Sequence, residues 1–128
     1  MPTRRSYDYA ILRVVPRVER GEFVNAGIIL LSREAAYIGA AIALDEARLR
    51  ALDPDADTTT IREHLDAIAA IANGDPNAGP IARFGPAERF HWLTAPRSTI
   101  LQPSPVHSGQ CEDPAAELRH LRADLVSG

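Results

Sequence analysis

Tyr7-Asp-Tyr-Ala-Ile-Leu-Arg-Val-Val15, stopped by Pro16, is the stretch on which the fold turns. Its β-branched and aromatic residues predict a strand over 7–15. One face would carry Tyr7, Tyr9, Ile11, Arg13 and Val15, the other Asp8, Ala10, Leu12 and Val14. Both are largely apolar, so this strand is expected to be covered on both sides. A polar connection, Arg17-Val-Glu-Arg-Gly-Glu22, turns at Gly21. Phe23 to Leu31 then reads as a second strand, again apolar on both faces. Ala35 to Leu44 reads as a third, and the short Ser32-Arg33-Glu34 turn predicts an antiparallel hairpin. On one face of that third strand, Gly39, Ala41 and Ala43 beside Tyr37 would let a helix approach closely.

Working outward, Asp45 has the chemistry of an N-cap for a short helix through Leu52, broken by Asp53-Pro-Asp-Ala-Asp57. Thr60-x-x-Glu63 has the spacing of a capping box, and Ile61, Leu65, Ile68 and Ala72 recur at helical spacing up to an Asn73-Gly74 stop. Asn73 to Pro80 is a turn-rich loop. Arg89 to Leu93 reads as a strand, Ser98 to Gln102 as a further short one, and Pro103 to Gly109 as loop. Asp113-Pro114 opens a final helix with Leu118, Leu121 and Leu125 as its inward stripe. Strands in succession followed by grouped helices predict an α+β fold, a mostly antiparallel sheet of four to five strands with two to three helices packed on it. The length of 128 residues is expected to make one domain, 1–128, with a flexible N-terminus over 1–6.

Composition narrows the function classes. With 45% hydrophobic and 24% charged residues the chain can build a core, which excludes a disordered tail. All 14 basic residues are arginine, so a lysine Schiff base and a P-loop lysine are excluded. A net charge of −3 disfavours nucleic acid held by bulk electrostatics. The charge is uneven: residues 1–20 carry five Arg against Asp8 and Glu19, whereas residues 45–57 carry five acids against Arg48 and Arg50. No apolar run reaches the roughly 20 residues of a membrane helix, and no apolar stretch of a secretory signal follows Met1-Pro-Thr-Arg-Arg5. A single cysteine, Cys111, excludes an internal disulfide and suits a reducing compartment, so a cytoplasmic location is expected.

Three stretches carry more polar specification than a core requires. Arg13 stands in line with Tyr9, Ile11 and Val15, so its guanidinium must leave an apolar face or find a partner. In Arg20-Gly-Glu-Phe-Val-Asn25-Ala-Gly27, an Asn and a Gly interrupt a run of strand formers, and strand Gly often marks close backbone approach. Trp92-Leu-Thr-Ala-Pro-Arg97 sets an aromatic and an arginine beside a turn. Together Arg13, Arg20, Glu22, Asn25 and Arg97 form a candidate site for a partner or an anionic group, because guanidinium forks suit phosphate and carboxylate. The competing reading is structural: Arg13 pairs with Glu22, Asn25 satisfies local backbone, and Trp92 fills the core. His107-x-x-x-Cys111 offers two metal ligands where zinc needs three or four, so no metal is assigned. Gly21 and Gly27 lack the spacing of a phosphate loop, and no cofactor is assigned. No nucleophile–base pair is legible, which favours a non-enzymatic module.

The pattern Tyr7-x-Tyr9-x-x-x-Arg13-x-x-Pro16-x-x-x-Arg20-Gly-Glu22-x-x-Asn25-x-Gly27 resembles the start of the DUF3037 family of small bacterial proteins. Thr94-x-Pro96-Arg97 and the leucine-striped final helix are similar to its second half, so the resemblance spans roughly residues 7–126. It implies no catalytic residues. It does imply a protein partner, a HipA-like kinase. The expectation is therefore an accessory protein-binding module, the alternative being a small enzyme or sensor that grips a phosphorylated or nucleotide-like ligand through its arginines. Self-association stays open.

Overall fold

The computed structural model describes residues 3–97 and 99–127. Within these residues five strands form one antiparallel sheet: β1 (Arg5–Val14), β2 (Val24–Ser32), β3 (Tyr37–Ile42), β4 (Leu101–Pro103) and β5 (His107–Cys111). Four α-helices accompany them: α1 (Glu46–Leu52), α2 (Thr58–Ala72), α3 (Pro86–Leu93) and α4 (Pro114–Leu125), with a 3-10 turn at Pro80–Arg83. The α+β class expected from the strand and helix order is the one observed.

The strand β1 is central. One edge pairs with β2, which pairs in turn with β3. The other edge is shared: Leu12–Val14 face β4, and Arg5–Tyr9 face β5. Where the two short strands part, Ser104 fills the gap, its amide donating to the Ile11 carbonyl and its hydroxyl accepting from the Ile11 amide, both at 2.8 Å. A buried backbone N–H without a partner would be costly there.

Each face of the sheet is covered, as the two apolar faces of β1 and β2 require. Leu12, Val14, Ala26, Ile29 and Leu31 pack under α2 and α3, meeting Ile61, Leu65, Phe90 and Leu93. Tyr7, Ile28 and Leu30 pack under α4, meeting Leu118 and Val126. The small face of β3 has the expected consequence: a Cβ on Gly39 would run into the Tyr37 hydroxyl and lie 3.0 Å from a Leu118 methyl. Gly27 is likewise fixed by close approach, since its Cβ would lie 2.7 Å from Ile42.

Several local expectations are corrected. Arg5 and Ser6, assigned to a flexible N-terminus, open β1 and pair with Cys111 and Gln110. Residues 89–93 are helical, not a strand: Gly85-Pro86 starts α3, and Phe90 and Leu93, three apart, bury the same side. Trp92 lies off that stripe and is 42% exposed, so it does not fill the core. The capping box at Thr60 is not formed; Asp57 caps α2 instead, accepting from the Thr60 amide and hydroxyl. Those hydrogen bonds hold the Asp57 carboxyl below its usual range. Residues 107–109 belong to β5, whose polar, exposed side chains hide a strand signature. Of the short strand expected at 98–102, Leu101 and Gln102 lie in β4, while Ser98 is outside the described residues. In α4, Leu118 is buried and Leu121 partly so, but Leu125 is 36% exposed and Val126 takes the inward position.

Leu118→Ala should therefore cost about 2–5 kcal/mol, and Leu125→Ala less than about 1 kcal/mol; denaturant unfolding of both variants checks the pair. Tyr7 provides a pH test. Its hydroxyl donates to Glu117 of α4 at 3.2 Å, and burial, then the Glu117 charge, pushes its pKa from 10 up to about 12. The folded chain holds this proton more tightly than the unfolded chain, so stability is intact below pH 10 and falls as pH rises toward 12. Glu117→Gln should lower the Tyr7 titration midpoint, read by ultraviolet absorbance.

Candidate functional site

The end of the β1–β2 ladder departs from regular pairing. Leu12 faces Gly27, yet Arg13 faces Asn25, so Ala26 is an extra residue on β2. Such a bulge re-aims the side chains around it. Here it sets Asn25 directly across from Arg13, on the face that α4 covers. The Asn25 amide donates to the Leu125 carbonyl at 3.0 Å, closing one of the open carbonyls at the end of α4. The interruption by Asn25 and Gly27 thus has a structural cause in part, and it also builds the corner in which Arg13 sits.

Arg13 does not pair with Glu22. The Glu22 carboxylate is held by Arg20 in the turn, with both side chains about half exposed. Instead the Arg13 guanidinium lies 4.3 Å from the centre of the Phe23 ring. This cation–π contact leaves it without an ion-pair partner among the described residues. Its Nε and the neighbouring Asn25 Oδ1 are both buried without a hydrogen bond among the described residues. The turn around them exposes Val18 and Phe23, at 43% and 44%, and carries the Arg17–Glu19 and Arg20–Glu22 pairs. Sequence reading missed Phe23 and Val18 as site residues. Phe23 continues the apolar run of the expected strand, although β2 begins one residue later.

Arg97 is not part of this corner. It lies on the opposite side of the sheet, beside α2 and α3, with its guanidinium 4.7 Å from the Trp92 ring and Nη2 donating to the Trp92 carbonyl. The five candidate residues therefore divide into a group of four at the β1–β2 end and a separate arginine.

Several reactive side chains away from this corner are engaged or withdrawn. Cys111 is buried; burial first, then the Glu117 and Asp113 charges, pushes its thiol pKa up, so it is a thiol rather than a thiolate at neutral pH. His107 stands at the other end of β5, against the Tyr9 ring. The Ser108 hydroxyl donates to Asp8 at 2.7 Å, and Arg33 bridges Asp8 to the His91 ring. No group of three metal-ligating side chains converges among the described residues.

No curated protein and no solved structure matches the chain. A family model does, over residues 9–126: DUF3037, protein of unknown function. That match takes in both halves of the sheet and all four helices, and the chain belongs to the DUF3037 family.

Proposed function

We propose that the protein is a non-enzymatic accessory module that binds a protein partner through the β1–β2 end. The observation that carries this reading is Arg13, a strand cation stacked on a half-exposed phenylalanine with no carboxylate of its own among the described residues. Arginine and aromatic side chains dominate binding energy at protein interfaces, and a rim of polar pairs around an apolar centre is usual there. Val18 and Phe23 supply the centre; Arg17–Glu19 and Arg20–Glu22 supply the rim. The matching partner surface offers an apolar side chain to Phe23 and a carboxylate to Arg13. A HipA-like kinase is the candidate partner that the family resemblance supplies. The Arg13 Nε, unbonded among the described residues, supports a second reading, in which the corner grips a phosphorylated small molecule.

Binding of the purified chain to a HipA-like kinase from the same genome, measured by biolayer interferometry, tests the first reading. Arg13→Ala and Phe23→Ala should each weaken binding at least tenfold, roughly 1.4 kcal/mol, while the melting temperature stays within about 4 °C. Full-strength binding by both variants, or no complex with the wild-type chain, overturns it. Pyrophosphate is the probe for the second reading. Saturable thermal stabilisation by pyrophosphate, lost in Arg13→Ala, would replace the protein partner with an anion.

A further inference from the structure

The groove between α2, α3 and the segment leading into β4 has a different chemistry from the β1–β2 end. It encloses about 410 Å³, within the usual range for a small-ligand site. Ile68 and Ile71 of α2 line it together with Ile100 and Leu101, and Trp92 and Arg97 complete the lining. α2 seats Ile61, Leu65 and Ala72 on the core, which leaves Ile68 and Ile71 only partly covered. Trp92 and Ile100 remain 42% and 45% exposed, although Phe90 and Leu93 of the same helix as Trp92 are buried. Folding has not closed this apolar cleft.

Charge indicates what would close it. Among the described residues no acidic side chain lines the groove, in a chain with 17 of them; His64 and Arg97 are its titratable residues there. Arg97 is held in place by stacking on Trp92 and by one N–H donated to the Trp92 carbonyl, and it has no ion-pair partner among the described residues. A planar guanidinium fixed in this way matches a planar carboxylate through two parallel N–H···O bonds, and one arginine balances its single charge, whereas a phosphate monoester carries about −1.5 to −2 at neutral pH. We infer that the α2–α3–β4 groove is a binding site for a small organic carboxylate with an apolar body, the body lying on Ile68, Ile71 and Ile100 and the carboxylate meeting Arg97 beside Trp92. This site is separate from the corner at Arg13 and does not rest on the partner proposed there.

Trp92 is the only tryptophan, so its fluorescence reports on the groove directly. The probes are 4-phenylbutyrate and its uncharged counterpart, 4-phenylbutanol. The carboxylate should give a saturable fluorescence change with a Kd below about 10 mM, and the alcohol should bind at least tenfold more weakly. Arg97→Ala, followed through the Ile68 and Ile71 methyl resonances, should lose that tenfold preference and keep the weak affinity for the alcohol. Ile100→Asp, at an exposed position, should weaken both probes. Arg13→Ala should change neither, which separates this outcome from failure of the partner reading. Equal affinity for the two probes, a preference retained in Arg97→Ala, or no saturation by the carboxylate overturns the inference.

Discussion

The fold depends on satisfying β1 on four sides at once. This strand has neighbours along both edges and helices above and below, so every backbone group and nearly every side chain on it needs a partner from elsewhere in the chain. Two short strands and one serine complete its second edge. Ser104 is 3% exposed, a level unusual for a hydroxyl residue, and its position is explained by the Ile11 backbone that neither β4 nor β5 reaches. Against that demand Arg13 stands out. It is the basic residue at the β2-paired end of the strand, and its Nε is left without a hydrogen bond among the described residues.

The architecture was legible where one residue type had one physical meaning. Apolar residues on both faces of 7–15 and 23–31 predicted a doubly covered sheet, and glycine and alanine on β3 predicted close helix packing; both are found. Caps at Asp45 and Asp113 were readable because an acceptor at a helix start has few other uses. Legibility failed where the cue was short or shared. Five residues from Arg89 to Leu93 contain enough aromatic character to suggest a strand, and only Gly85-Pro86 upstream shows the helix. His107–Gln110 carries no apolar alternation, because its strand faces solvent and is held by backbone bonds to β1.

The candidate site was half legible. Arg13 and Asn25 were found as exceptions to strand chemistry, and they are indeed cross-strand neighbours. Their meeting requires the bulge at Ala26, which no spacing rule announces. Arg97 was grouped with them on residue type alone, but side-chain chemistry carries no information about which side of a sheet a loop crosses. The Trp92–Arg97 pair is legible as an aromatic and an arginine beside a turn, but its outward stack is not: only when residues 89–93 are helical does Trp92 fall off the Phe90–Leu93 stripe and face outward.

The pairing of β1 with β5 joins residues about a hundred positions apart, Arg5 with Cys111 at the extreme. On the ribosome, synthesis runs from the N-terminus, so β1, β2 and β3 emerge long before the segments that finish their sheet. The hairpins can form early, and α2 can cover one face as soon as it is made. Tyr7, Ile28 and Leu30 on the other face have no cover until residues 114–126 are synthesised. Until residues 101–126 follow, the nascent chain thus carries an open apolar sheet face and an unpaired strand edge, the combination that invites wrong association. Docking of α4 ends that vulnerable interval.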